Sequence, residues 1–255
     1  MTNLSRKVEL LLLEGTPFGL RYGDIKNHSC RIFVAPRASF RELLQRDELN
    51  KPGVYFLVGK NDSGFSQVYI GEADVLVDRL QHHQSKDFWS EIIVFTAQDE
   101  LLNKASVRYL ESVLVERALR DKQCDLQNGN SPTIKNLSEA DIYVMNEFLE
   151  DIVFLLLVFG FNFIRSQFTL QDVSSPLLKI QASGQQATGR ETDEGFVVYK
   201  GSTARVLKAD RWQESSQRLR EMLMEKGILI LNPQNSKEYV FTQDYVFSSP
   251  SAAAG

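Results

Sequence analysis

Two cysteines in 255 residues, Cys30 and Cys124, lie far apart and match no metal-ligand spacing, which argues against a thiolate metal site. Long apolar runs are also missing. The longest, Ile152 to Phe161, falls well short of the ~20 residues that cross a bilayer, so it is read as a buried core helix. Met1 to Arg6 is polar and Leu10 to Leu13 is too short for a secretory signal; the expectation is a cytoplasmic protein in a reducing compartment, not at a membrane. An excess of positive charge is absent too: 29 basic against 33 acidic residues leave a formal net charge of -4. That speaks against a protein that coats nucleic acid over a wide surface, but leaves room for a local basic cleft. There is no internal repeat, and no low-complexity tract beyond Ser248 to Gly255.

What is present describes an ordinary folded chain, 43% hydrophobic and 24% charged, long enough for one large domain or two small ones. Val8 to Leu13 reads as a strand or a short helical turn, and Arg31 to Ala35 as a strand stopped by Pro36. Ser39 is expected to cap a helix over Phe40 to Arg46, with Glu42 in the reciprocal position. After Pro52-Gly53, the runs Gly53 to Val58 and Gln67 to Gly71 flank a polar tip and predict a hairpin. A helix over Asp74 to Gln84, a strand over Glu91 to Thr96 and an amphipathic helix from about Asn103 to Asp121 follow. Ser138 with Asp141 caps a further helix, and Ser166 to Ser175 reads as a linker. Strands at Gly195 to Tyr199, Ile228 to Leu231 and Tyr239 to Thr242, with a helix near Ser215 to Lys226, predict a second, smaller α+β unit.

Residues 52–132 gather the side chains that phosphodiester cleavage needs. A carboxylate can hold a metal ion, an Arg fork suits a phosphate, and a Tyr or His can move a proton. Tyr55 and Tyr69 sit on paired strands, Arg79 and His83 are i, i+4 on the next helix, and Glu111 lies beside the buried stripe of Leu110 and Leu114. Each also has a structural reading: a strand Tyr as a core aromatic, Arg79 as a surface ion pair with Asp78 or Glu72, Glu111 as a solvated charge. Adjacent histidines diverge by about 100° on a helix, so at most one of His82 and His83 faces the cleft, and the spacing favours His83.

In order, Gly53-Val54-Tyr55, Tyr69-Ile70-Gly71, Arg79-Leu80-Gln81-His82-His83 and Tyr109-Leu110-Glu111 resemble the signature of the GIY-YIG nuclease family. The first motif reads Gly-Val-Tyr, and the thirteen residues between Tyr55 and Tyr69 imply a longer hairpin tip than is usual there. The resemblance implies a small mixed three-stranded sheet flanked by helices, an α/β (α+β) fold, binding one divalent metal, Mg2+ or else Mn2+. It implies that Glu111 ligates the metal, Arg79 meets the scissile phosphate, and Tyr55 or Tyr69 positions or deprotonates the water. His83 matches a His found four residues after the Arg in some restriction-enzyme members. Asn128 and Asn130 are both candidates for an Asn that closes the site, and Lys60 at the hairpin tip is a further candidate contact.

Ala187-Thr188-Gly189-Arg190, Asp193-Glu194-Gly195-Phe196, Gly201-Ser202-Thr203-Ala204 and Phe247-Ser248-Ser249-Pro250-Ser251 resemble a domain of unknown function (number 4357) that follows GIY-YIG domains in bacterial proteins and occurs near restriction-modification subunits. In those relatives the chain continues further, so the natural chain is expected to extend beyond Gly255. Arg190, Lys200 and Arg205 are candidate nucleic-acid contacts in this unit, although Glu191, Asp193 and Glu194 stand among them. The expected organisation is an N-terminal extension over 1–51, a nuclease domain over 52–135, a helical segment and linker over 136–175, and an accessory domain over 176–255. The expected function is metal-dependent hydrolysis of double- or single-stranded DNA, in restriction or phage defence, with a defence partner or an oligomer as further possibilities. The alternatives are a catalytically silent module that binds nucleic acid or protein, and an RNA-directed nuclease.

Overall fold

The computed structural model of the chain describes residues 5–61, 64–129, 137–164, 175–182, 185–192, 195–206 and 214–254. It divides into two compact units, residues 1–166 and 167–255, each with mixed helix and sheet. The linker expected over Ser166 to Ser175 lies outside the described residues except for Ser175.

The first unit is built on strands β1 (Val8–Leu12), β2 (Arg21–Ile25), β3 (Cys30–Pro36), β4 (Gly53–Lys60), β5 (Ser66–Ala73), β6 (Trp89–Ala97) and β7 (Asp125–Leu126). They form one seven-stranded sheet in the order β1-β2-β3-β6-β4-β5-β7. All neighbours are antiparallel except β5 and β7. The sheet is therefore larger than the three strands expected. The three expected strands lie side by side in it as β6-β4-β5, and β3 pairs with the free side of β6 from Cys30↔Ala97 to Pro36↔Glu91. An open β6 edge would leave a row of unpaired backbone groups, and β3 with β1 and β2 beyond it removes that edge.

Alternation along β4 shows how both faces are buried. Val54 and Phe56 join the core under α3 (Lys104–Asp121) and α4 (Glu139–Val158). Tyr55 and Leu57 join a second core with Leu43 of α1 (Phe40–Leu44) and with Leu76 and Leu80 of α2 (Leu76–Gln81). Seven of its eight residues are buried, which is why β4 reads as a continuous apolar run rather than as an alternating one.

The helix ends follow local chemistry, although α2, expected over Asp74 to Gln84, covers only Leu76–Gln81. Asn103 caps α3 by accepting from Ala105 N at 2.9 Å and Ser106 N at 3.1 Å, while Ser106 Oγ accepts from Asn103 N. Ser138 caps α4 by accepting from Asp141 N at 3.1 Å, and the apolar run is buried at Ile152, Val153, Leu155 and Leu156. Ser39, by contrast, makes no capping hydrogen bond, and α1 stops at Leu44 rather than Arg46. A 3-10 turn over Arg37–Ser39 already runs into the helix, so Ser39 lacks the extended backbone from which a capping side chain reaches inward. Among the described residues no helix is long and apolar enough to cross a membrane.

The second unit holds β8 (Leu178–Ala182), β9 (Gln185–Thr192), β10 (Gly195–Val198), β11 (Thr203–Arg205), α5 (Glu214–Glu225), β12 (Leu229–Asn232), β13 (Asn235–Phe241), β14 (Tyr245–Phe247) and α6 (Pro250–Ala254). Its strands form a four-stranded sheet, β14-β10-β9-β8, and a three-stranded one, β11-β13-β12. Phe196, Leu223, Ile228, Phe241 and Phe247 share its core.

Candidate active site

The site begins with a close approach across the β4–β5 hairpin. Tyr55 pairs with Gly71, and Tyr69 pairs with Leu57, so the two tyrosines are diagonal neighbours on one face rather than directly opposed. Their ring centroids stand 6.2 Å apart. The Tyr55 ring leans over Gly71, where an added Cβ would lie 2.4 Å from both Cζ and Oη. Only a residue without a side chain leaves the ring room to lie there.

Helix α2 and the loop after it bring two groups to the Tyr55 hydroxyl. Arg79 Nε donates to Oη at 3.3 Å, and Oη meets His83 Nε2 at 2.7 Å. Arg79 lies within the helix, whereas His83 lies just past its end, its N–H donating to Leu80 O. Of the adjacent histidines, His83 is 4% exposed and packs against the rings of both tyrosines, with centroids 5.2 and 5.3 Å away. Exposed His82 instead lines a shallow cleft of about 360 Å³ beside Arg79, together with Ala73, Asp74, Val75 and Asp78.

The protonation states follow from burial. Desolvation, then the neighbouring Tyr69 phenol, pushes the Tyr55 hydroxyl far above the ordinary tyrosine value, so it keeps its proton at neutral pH. Desolvation, then the charges of Lys86 and Arg79, lowers His83 to about 4 and leaves it neutral. Its Nδ1 is buried and meets no hydrogen-bond partner among the described residues.

Glu111 lies on α3, half-buried, near the same Arg79. Burial first, then the charge of Glu72, raises its carboxyl to about 7, while Arg79 and Arg108 pull the other way. Glu72 is in turn held by Arg108 Nε at 3.3 Å. The donors gathered here are carboxylate and hydroxyl oxygens. Among the described residues no group of three or more His, Cys, Asp and Glu is arranged to hold an ion. A hard cation of the magnesium type keeps several waters and takes only one or two carboxylates, so Glu111 and Glu72 are the residues that could hold one, whereas a structural zinc would need more protein ligands than are gathered here.

The other candidate residues are spread more widely. Asn128 turns its amide on the backbone of β5: Ile70 N donates to Oδ1 at 3.0 Å, and Nδ2 donates to Ile70 O at 2.8 Å. It braces the strand that carries Tyr69. Asn130 lies outside the described residues. Lys60 is exposed at the end of β4, paired with Ser66. Arg190 on β9, exposed Lys200 in a turn and exposed Arg205 on β11 all belong to the second unit. Lys200 N donates to Asp244 Oδ1 at 2.7 Å.

Three members escaped the sequence reading. Glu72 directly follows Gly71, and Arg108 precedes Glu111 by three residues on α3, a spacing that puts both on one face. Lys86 sits in a loop, its Nζ 4.1 Å above the centre of the Tyr69 ring. Only the Arg108 spacing was a usable signal.

Residues 178–255 match the family model described as Domain of unknown function (DUF4357). The match spans β8 to α6 and covers the C-terminal region that resembled this family by its motifs. The DUF4357-like region thus includes Arg190, Lys200 and Arg205 but none of the side chains around Tyr55. No curated protein and no solved structure matches the chain.

Proposed function

We propose that the first unit is a metal-dependent endonuclease of the GIY-YIG type, hydrolysing DNA phosphodiester bonds in restriction or phage defence. The observation that carries this reading is the Tyr55 hydroxyl, met by Arg79 at 3.3 Å and His83 at 2.7 Å, with Glu111 close enough to feel the Arg79 charge.

Each residue has a role that its surroundings suit. Arg79 donates to Tyr55 through Nε, which leaves its terminal nitrogens for the scissile phosphate. Because Tyr55 retains its proton, it acts by relay: its oxygen takes a proton from the attacking water as its own proton passes to neutral His83 Nε2. Tyr69 borders this path and orients the water. Glu111, helped by Glu72, would hold a divalent cation, which would supply positive charge for the phosphorane-like transition state and the leaving 3′-oxygen. DUF4357-like residues Arg190, Lys200 and Arg205 serve as secondary DNA contacts in this reading.

The test is cleavage of plasmid and single-stranded DNA with magnesium, with manganese and with EDTA, comparing wild type, Glu111→Ala and Tyr55→Phe. Metal-dependent cutting lost in both variants supports the proposal. A wild type that shifts DNA in a gel but cuts nothing with any divalent metal is a binding module. Cleavage of RNA alone would replace the DNA assignment.

A further inference from the structure

Arg79 and Lys86 lie together with no ion-pair partner among the described residues. The Arg79 Nε hydrogen bond goes to a neutral phenol, that of Tyr55. The Lys86 ammonium rests on the Tyr69 ring, its Nζ 4.1 Å from the centroid. Asp87, the acidic residue beside Lys86, pairs instead with Arg37 at 3.6 Å. Burial and then the Arg79 charge hold Lys86 below the ordinary lysine range. Two cations that repel each other across an aromatic site form an arrangement that an incoming anion relieves.

The loop beneath Lys86 is built to hold that ammonium in place. Lys86 N donates to His83 O at 3.1 Å. Arg37 donates to Lys86 O at 2.6 Å, to Gln84 O at 2.9 Å and to Trp89 O at 3.2 Å, and its guanidinium stacks 4.4 Å above the Trp89 ring. With the backbone fixed at several points, only the side chain remains to be ordered when a ligand arrives. A lysine that merely covered Tyr69 would need neither the fixed root nor the unpaired cationic neighbour.

We propose that Lys86 is a substrate contact, taking a backbone phosphate next to the one that Arg79 takes, so that the two cations grip consecutive phosphates of a DNA strand. The inference rests on the nuclease reading above, and it adds a residue outside the recognised motifs. Tyr69 then has two jobs, bordering the reacting water on one side and carrying the lysine on the other.

The experiment measures binding of the full chain to a short fluorescent DNA duplex in EDTA, where nothing is cut, over a series of salt concentrations. Lys86→Gln should weaken binding roughly fivefold at moderate salt and reduce the salt slope by about one, while Lys86→Arg restores both. Thermal melting of each variant checks the fold, and altered melting by itself does not change a salt slope. A Lys86→Gln protein with wild-type affinity and slope overturns the inference even if plasmid cleavage stands. A wild type that does not bind the duplex overturns it as well. The Lys86-dependent slope without cleavage in any divalent metal keeps the contact and sinks the nuclease reading instead.

Discussion

The ring of Tyr55 occupies the space that a side chain at Gly71 would fill, with Cζ and Oη both 2.4 Å from the position of a Cβ there. Gly71→Ala therefore pushes the phenol away from Arg79 and His83. Overpacking of this kind costs about 1–3 kcal/mol, and a displacement of about 1 Å at a reacting group costs about 10²-fold in rate. The variant should melt earlier and cleave far more slowly with magnesium. Cleavage at the wild-type rate would show that the Tyr55 position is not critical.

Tyr55→Phe removes the oxygen that Arg79 Nε and His83 Nε2 share. A buried His83 nitrogen then has no partner, at a cost of about 1–3 kcal/mol. The rate should fall about 10²–10⁴-fold, as for the loss of a general acid–base group. If Tyr55 and His83 form one relay, the double variant Tyr55→Phe/His83→Ala loses little more activity than either single variant. A product of the two separate losses would place them in independent roles.

His83 also sets a pH dependence of stability. Its pKa falls from 6.5 to about 4 on folding, because burial penalises the charged ring. Between those values the unfolded chain binds a proton that the native chain does not, so stability drops as pH falls from about 6.5 toward 4. His83→Gln should flatten that part of the melting-temperature profile, with the largest difference from wild type near pH 4. An unchanged profile would mean that His83 is charged in the native state.

Arg37 joins the end of β3 to the loop over residues 83–89, and its role is mechanical. Arg37→Ala leaves the carbonyls of Gln84, Lys86 and Trp89 without this donor and removes the stack on Trp89. The expected loss is about 2–3 kcal/mol, with faster amide exchange over residues 83–89 than elsewhere in the unit. Lys cannot present the same fork, so Arg37→Lys should rescue poorly. Exchange that rises evenly across the sheet would argue against a local strut.

How much of this was legible beforehand depends on range. The hairpin, the α3 helix and the order of Tyr55, Tyr69, Arg79 and Glu111 are local patterns, and the chain displays them directly. The seven-stranded sheet is not local. β3 finds β6 about sixty residues away, β7 has two residues, and β2 lacks a strong alternating pattern. The same holds inside the site. Nothing around Lys86 announces that it will rest on Tyr69, and nothing around Asn128 announces that its amide is taken up by Ile70. Between the adjacent histidines the spacing from Arg79 favours His83, and His83 is indeed enclosed while His82 is open to solvent.

Glu111 gives the sharpest separation between stability and function. Burial and the Glu72 charge raise its carboxyl from 4.5 to about 7, so the native chain resists the ionised form that the unfolded chain carries above pH 4.5. Stability from this group is thus lost as pH rises from about 4.5 through 7. Glu111→Gln keeps the shape and removes the charge. In EDTA at pH 8 it should melt later than wild type, by an amount on the order of 1 kcal/mol once solvent screening of a half-exposed group is allowed for. With magnesium the order should narrow or reverse, because only the wild-type carboxylate gains from the cation. Cleavage by the variant should be abolished. A Glu111→Gln protein that melts earlier in EDTA would overturn the buried, strained carboxylate, and one that gains as much from magnesium as wild type would remove Glu111 from the metal site.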